Sequence, residues 1–169
     1  MPGTIRKLYS CVRGGRAHFL LAIGDLDTHT GQSVDHVTLA GRFGAFHVVT
    51  GSLETDIFEN VQVFDLATGH RVAQNVAGPA YPSVLTALVL DEAGTAAWTE
   101  SSTIEPQTNE HKPAGQPPGP WAVLWGSSAT HAAAILDTGT IDPASVTVSA
   151  TTVSWTNAGT PRQADLGGP

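Results

Sequence analysis

The chain has 169 residues, a length that suits one ordinary domain with a substantial core. Its net charge is −7 and only eight residues are Lys or Arg, which excludes a basic face for a nucleic-acid backbone or an anionic bilayer. One cysteine excludes an internal disulfide and a cysteine-rich zinc site. No apolar run approaches the roughly 20 residues of a membrane span, and the many Gly and Pro residues predict turns and strands.

The first predicted element is a β-hairpin over residues 7–22, in which Gly14 and Gly15 can adopt the positive φ of a tight turn. We expect residues 1–6 to be a frayed start and the polar segment 24–35 to be a connection. The apolar run inside the hairpin is too short for an export signal, so it is interpreted as a strand and the compartment stays unknown.

Three later segments share one layout, which organises the rest of the chain. In each, an alternating apolar run leads into a short polar turn, and a second alternating run carries a large aromatic residue. The aliphatic and aromatic members of the three copies are Leu39 and Phe46, Leu90 and Trp98, and Val148 and Trp155. The aromatic residues recur at intervals of roughly 50 residues, a spacing typical of stacked β-units.

A predicted hairpin follows each of the first two copies. Residues 60–74 alternate around a turn in which Asp65 can cap backbone amides and Gly69 can adopt positive φ. Residues 121–136 are its counterpart; their alanine run suits a helix by propensity, but its position after a turn favours a strand. The remaining segments are a connection at 75–83, an exposed proline-rich insertion at 103–119, and a short closing run at 162–166.

These elements predict an all-β fold built from stacked four-stranded antiparallel meanders. A sheet with two apolar faces cannot cover both by itself, so each meander is expected to stack on the next, with the three aromatic rings between sheets. About three meanders would form a partial or small β-propeller. The predicted units are 7–22, 34–76, 84–138 and 144–166, all within one domain.

Two stretches carry a resemblance to a known group of proteins. Residues 61–72 and 141–159 resemble blades of bacterial β-propellers of the TolB-like and quinoprotein-like (WD40-like) kind. More narrowly, the chain resembles uncharacterised actinobacterial proteins, often exported, that carry such blades. The resemblance implies a propeller fold and no activity. Because a closed propeller normally needs four blades, the closing run 162–166 is expected to pair with the hairpin 7–22, the alternative being an open arc or a fragment.

Several polar residues have side chains of catalytic or metal-binding types, and for each of them we favour a structural interpretation. The densest set of metal-ligand types is Asp25, Asp27, His29, Asp35 and His36, but it lacks the final Glu of a calcium loop and is interpreted as a solvated turn. Cys11 and His18 face each other across the first hairpin, where a buried cysteine is commoner than a nucleophile. His47 alternates to the face opposite Phe46 and is interpreted as a surface or interface residue. No catalytic, cofactor or metal residue is assigned.

The resulting hypothesis is a non-enzymatic binding or scaffold module for a protein or peptide, using the loops 103–119 and 52–60. The alternative is a hydrolase or lyase with a site at the blade tops or centre. That alternative requires convergence of several members of one set: Asp25, Asp27, His29, Asp35, Asp56, Glu59, Asp91 and His131. A third interpretation is one arc of a larger assembly, with homo-oligomers formed through open sheet edges.

Overall fold

The computed structural model describes residues 5–11, 18–25, 30–51, 58–74, 83–102 and 122–167. These residues form β-strands and one short 3-10 turn, and the described part of the chain contains no α-helix. No helix there is long and apolar enough to cross a membrane. The strands are β1 (Ile5–Cys11), β2 (His18–Asp25), β3 (Thr30–Ala40), β4 (Phe43–Gly51), β5 (Phe58–Asp65), β6 (His70–Gln74), β7 (Ser83–Leu90), β8 (Ala96–Ser102), β9 (Ala122–Ser128), β10 (His131–Gly139), β11 (Thr147–Ser149), β12 (Thr152–Asn157) and β13 (Thr160–Asp165).

The strands form three antiparallel sheets, each a meander in chain order. The first sheet runs from β1 to β6, the second from β7 to β10 and the third from β11 to β13. Only two residue pairs join β2 to β3, so the first sheet is a four-stranded meander, β3–β6, with the β1–β2 hairpin attached at one end. The all-β class and the stacked meanders are therefore confirmed.

The turn chemistry read from the sequence is also confirmed. Asp65 accepts a hydrogen bond from the amide of Ala67 through its carboxylate, and its carbonyl accepts from the amide of Gly69, which has a φ of 72°. The alanine run forms strand β10, because its residues pair with β9 across a short turn. Local turn signals thus set the hairpins even where the helical propensity is high.

Three predictions about the chain ends and connections were wrong. Ile5 and Arg6 belong to β1 and not to a frayed start, and residues 30–35 belong to β3, because the backbone of Gly31 to Val34 pairs with β4. The closing run does not pair with the first hairpin; it forms β13 on β12. The turn at Ala158 and Gly159, with positive φ of 49° and 77°, returns the chain onto β12. The first hairpin instead joins β3, so among the described strands β13 pairs with β12 alone. The insertion 103–119 lies outside the described residues.

Trp98 lies between the first and second sheets. It is fully buried, and its cluster contains Ala45, Val61 and Val63 of the first sheet. The ring stacks on Trp125 of the neighbouring strand with centroids 6.3 Å apart. The predicted role of Trp98 as a packing residue between sheets is confirmed.

Trp155 has the same role between the second and third sheets. It is 5% exposed and packs in a cluster with Ala97 and Leu124 of the second sheet. Phe46 is also 5% exposed, but its described neighbours, such as Val48 and Phe64, belong to the first sheet itself. Trp98 and Trp155 therefore face the preceding sheet, and Phe46 lies on the face of its own sheet that points away from the second sheet.

Candidate functional site

A group of three ionisable side chains lies on β3, β4 and β5. His47 is 3% exposed, and its Nε2 atom lies 3.7 Å from a carboxylate oxygen of Glu59. The ring of His36 meets the ring of His47 edge to face, with centroids 6.1 Å apart. We call these three residues the histidine cluster.

Strand register explains how the histidine cluster forms. His36 pairs directly with His47, and Val49 pairs with Glu59, so the three side chains share one face of the sheet. A register shift in β3 between Val34 and His36 brings His36 opposite His47. This face is the one that meets the second sheet, because Val61, which pairs with His47, belongs to the Trp98 cluster.

A second carboxylate points toward the same interface. Glu100 is 9% exposed and lies two residues after Trp98 on β8, so both side chains face the first sheet. The end of β8 is also where the insertion 103–119 begins, and the loop 52–57 leaves the corresponding end of β4. The buried Glu100 and the half-buried Glu59 thus lie near the end of β8 and the start of β5, next in the chain to the two segments predicted as binding loops.

The chemistry of the histidine cluster is limited by its composition. Among the described residues no group of three His, Cys, Asp or Glu side chains could hold a metal ion. A buried imidazole beside a carboxylate is a common way to satisfy polar groups between packed sheets. The interface interpretation of His47 is therefore confirmed, and it is buried rather than on the surface.

The acidic and histidine residues that an active site would require do not come together, as far as the described residues show. Asp91 lies in the β7–β8 turn and His131 begins β10 at the same end of the second sheet. That end adjoins Phe43, because a Cβ on Gly94 would lie 2.9 Å from the Phe43 ring. Glu59 pairs with Val49, six residues farther along β4 and therefore about 20 Å away.

Asp91 has a structural role that the sequence analysis did not assign. Its carboxylate accepts hydrogen bonds from the amides of Ala93 and Thr95, which closes the β7–β8 turn. Of the other members of the set, Asp25 lies in β2 and Asp35 in β3, without a description of their side chains, and Asp27, His29 and Asp56 lie outside the described residues. Cys11 and His18 do pair across β1 and β2, as predicted, again with side chains outside the description.

An exposed apolar surface lies on the face of β3 that points away from the second sheet. Val37 pairs with Phe46 and is 53% exposed, and Leu39 pairs with Gly44 and is 64% exposed. The side chains of Leu39 and Phe46 meet over Gly44, where a Cβ would lie within 3.2 Å of both. We call Val37 and Leu39, with the adjoining edge of Phe46, the β3 face.

The other end of the molecule is polar. An open groove of about 570 Å³ lies on the third sheet, and its lining consists of Ser145, Ser154, Trp155, Thr156, Pro161, Arg162 and Gln163. Pro161 and Gln163 are exposed, and Ser154 and Thr156 are half-buried.

Asp137 connects the second and third sheets through a set of hydrogen bonds that the sequence analysis missed. Its Oδ2 accepts from the Trp155 indole at 2.7 Å and from the Asn157 amide at 2.9 Å, and Arg162 lies 3.2 Å away. Burial acts to raise the pKa of Asp137, but the hydrogen bonds from Asn157, Trp155 and the Thr138 amide, together with the Arg162 charge, outweigh it and lower the pKa. The carboxylate is therefore held ionised.

Comparisons with known proteins add no assignment. No family model, no curated protein and no solved structure matches the chain. The functional interpretation therefore depends on the surfaces described above.

Proposed function

We propose that the chain is a propeller-like binding module that docks a β-sheet of a partner protein on the β3 face. The observation that carries this proposal is the exposure of Leu39 and Val37, which contrasts with the burial of their counterparts in the other two copies of the repeat. The proposal keeps a non-enzymatic binding role but moves the contact surface from the loops to a sheet face.

The exposure of equivalent residues can be compared among the three copies of the repeat. Leu39 corresponds to Leu90 and Val148, both half-buried, and Val37 corresponds to Leu88, also half-buried. Leu88 and Leu90 pack against the cluster that contains first-sheet residues, and Val148 packs against the cluster that contains second-sheet residues. In both later copies the preceding sheet covers this position, so the exposed apolar pair on β3 fits a sheet supplied by another chain.

The covered copies also indicate the chemistry of the partner. The face that covers Trp98, Leu88 and Leu90 presents small aliphatic side chains, including Ala45 and Val63. One cross-sheet hydrogen bond, from the Thr38 hydroxyl to the Leu88 carbonyl, accompanies the apolar contact. The partner that fits β3 is therefore an antiparallel sheet whose exposed face is rich in Ala and Val.

The test uses a photo-crosslinking amino acid at position 39 of the full chain, with position 135 as the matched control. Ile135 is 55% exposed on β10, so it offers similar apolar exposure away from β3. We expect covalent adducts with one protein from position 39 and none of that protein from position 135. The captured protein, prepared recombinantly, should then bind the wild-type chain and bind Leu39→Asp at least about tenfold more weakly, because a charge would be desolvated in the contact.

Ile135→Asp serves as the binding control and should retain wild-type affinity. Equal affinity of wild type and Leu39→Asp would contradict the proposal, as would the same adducts from both positions. An adduct between two copies of the chain would assign the β3 face to self-association and would also overturn it. Far-ultraviolet circular dichroism verifies that each variant is folded.

A further inference from the structure

We draw no further inference here: the strongest candidate, the side-chain cluster of His36, His47 and Glu59 on the face of the first sheet that meets the second, belongs to the site already described, and nothing in the described residues points to a ligand or partner for it.

Discussion

The two interfaces between sheets each bury a tryptophan ring, but they differ in how the indole N–H is satisfied. Trp98 and Trp155 occupy corresponding positions, and each buries its ring against the preceding sheet. The Trp98 indole Nε1 has no hydrogen-bond acceptor among the described residues, and the ring instead stacks on Trp125. The Trp155 indole donates to Asp137. The repeat therefore specifies where a large ring is buried, and residues outside the repeat decide whether its polar atom is satisfied.

The largest expected loss of stability comes from removing the tryptophan ring at the apolar interface. Trp98→Ala removes a fully buried ring that two sheets share, and we expect the free energy of unfolding to fall by about 4 kcal/mol in urea denaturation. Leu39→Ala is the control, since a side chain that is 64% exposed should change stability by about 0.5 kcal/mol or less. Similar losses for the two variants would mean that Trp98 is not a central packing residue.

The stability of the polar interface should depend on Asp137, which accepts its hydrogen bonds. Asp137→Ala leaves the Trp155 indole, the Asn157 amide and the Arg162 guanidinium without their shared partner, and we expect a loss of about 2–3 kcal/mol by urea denaturation. Asp165→Ala, on β13, should cost much less because that carboxylate is exposed and binds only the local groups Thr151 and Gly167. Equal losses in the free energy of unfolding for the two variants would mean that Asp137 contributes no more to stability than an exposed aspartate.

Phenylalanine substitutions isolate the indole hydrogen bond. Trp155→Phe and Trp98→Phe remove similar volumes, but only Trp155→Phe removes a donor to a half-buried carboxylate. We expect Trp155→Phe to cost about 1–2 kcal/mol more than Trp98→Phe in the free energy of unfolding. Equal costs, measured in the same urea series, would show that the two indoles contribute only through packing.

The sequence was sufficient to predict the strands in the repeated part of the fold. Alternation, turn residues and the recurring aromatic residues located the strand pairs around Phe46, Trp98 and Trp155, because these signals are local. It was not sufficient for β13, because its short run of polar residues carries no signal of its partner, and in the structure the first hairpin joins β3 instead. Nor did polar composition reveal that residues 30–35 continue β3.

The sites were less predictable than the fold. Asp137 is 18 residues from Trp155 and 20 from Asn157, so no local pattern connects them. The exposure of Leu39 could not be read from the sequence either, because its pattern matches that of the half-buried Leu90. A repeat predicts equivalent residues, and only the structure shows that Leu39 is 64% exposed where Leu90 is half-buried.

The smallest expected effect concerns the pH dependence of the polar interface. The pKa of Asp137 is lowered below its ordinary value of 3.8 on folding, so its contribution to stability is fully present above that value and is lost as the pH falls through the lower folded pKa. The difference in free energy of unfolding between wild type and Asp137→Asn should therefore shrink between about pH 5 and about pH 2. Urea denaturation at each pH measures it, with Trp98→Phe as a variant whose difference from wild type should stay constant. A constant difference for Asp137→Asn would mean that the indole, amide and guanidinium donors do not favour the ionised carboxylate, and the contrast between the two interfaces would then be one of shape alone.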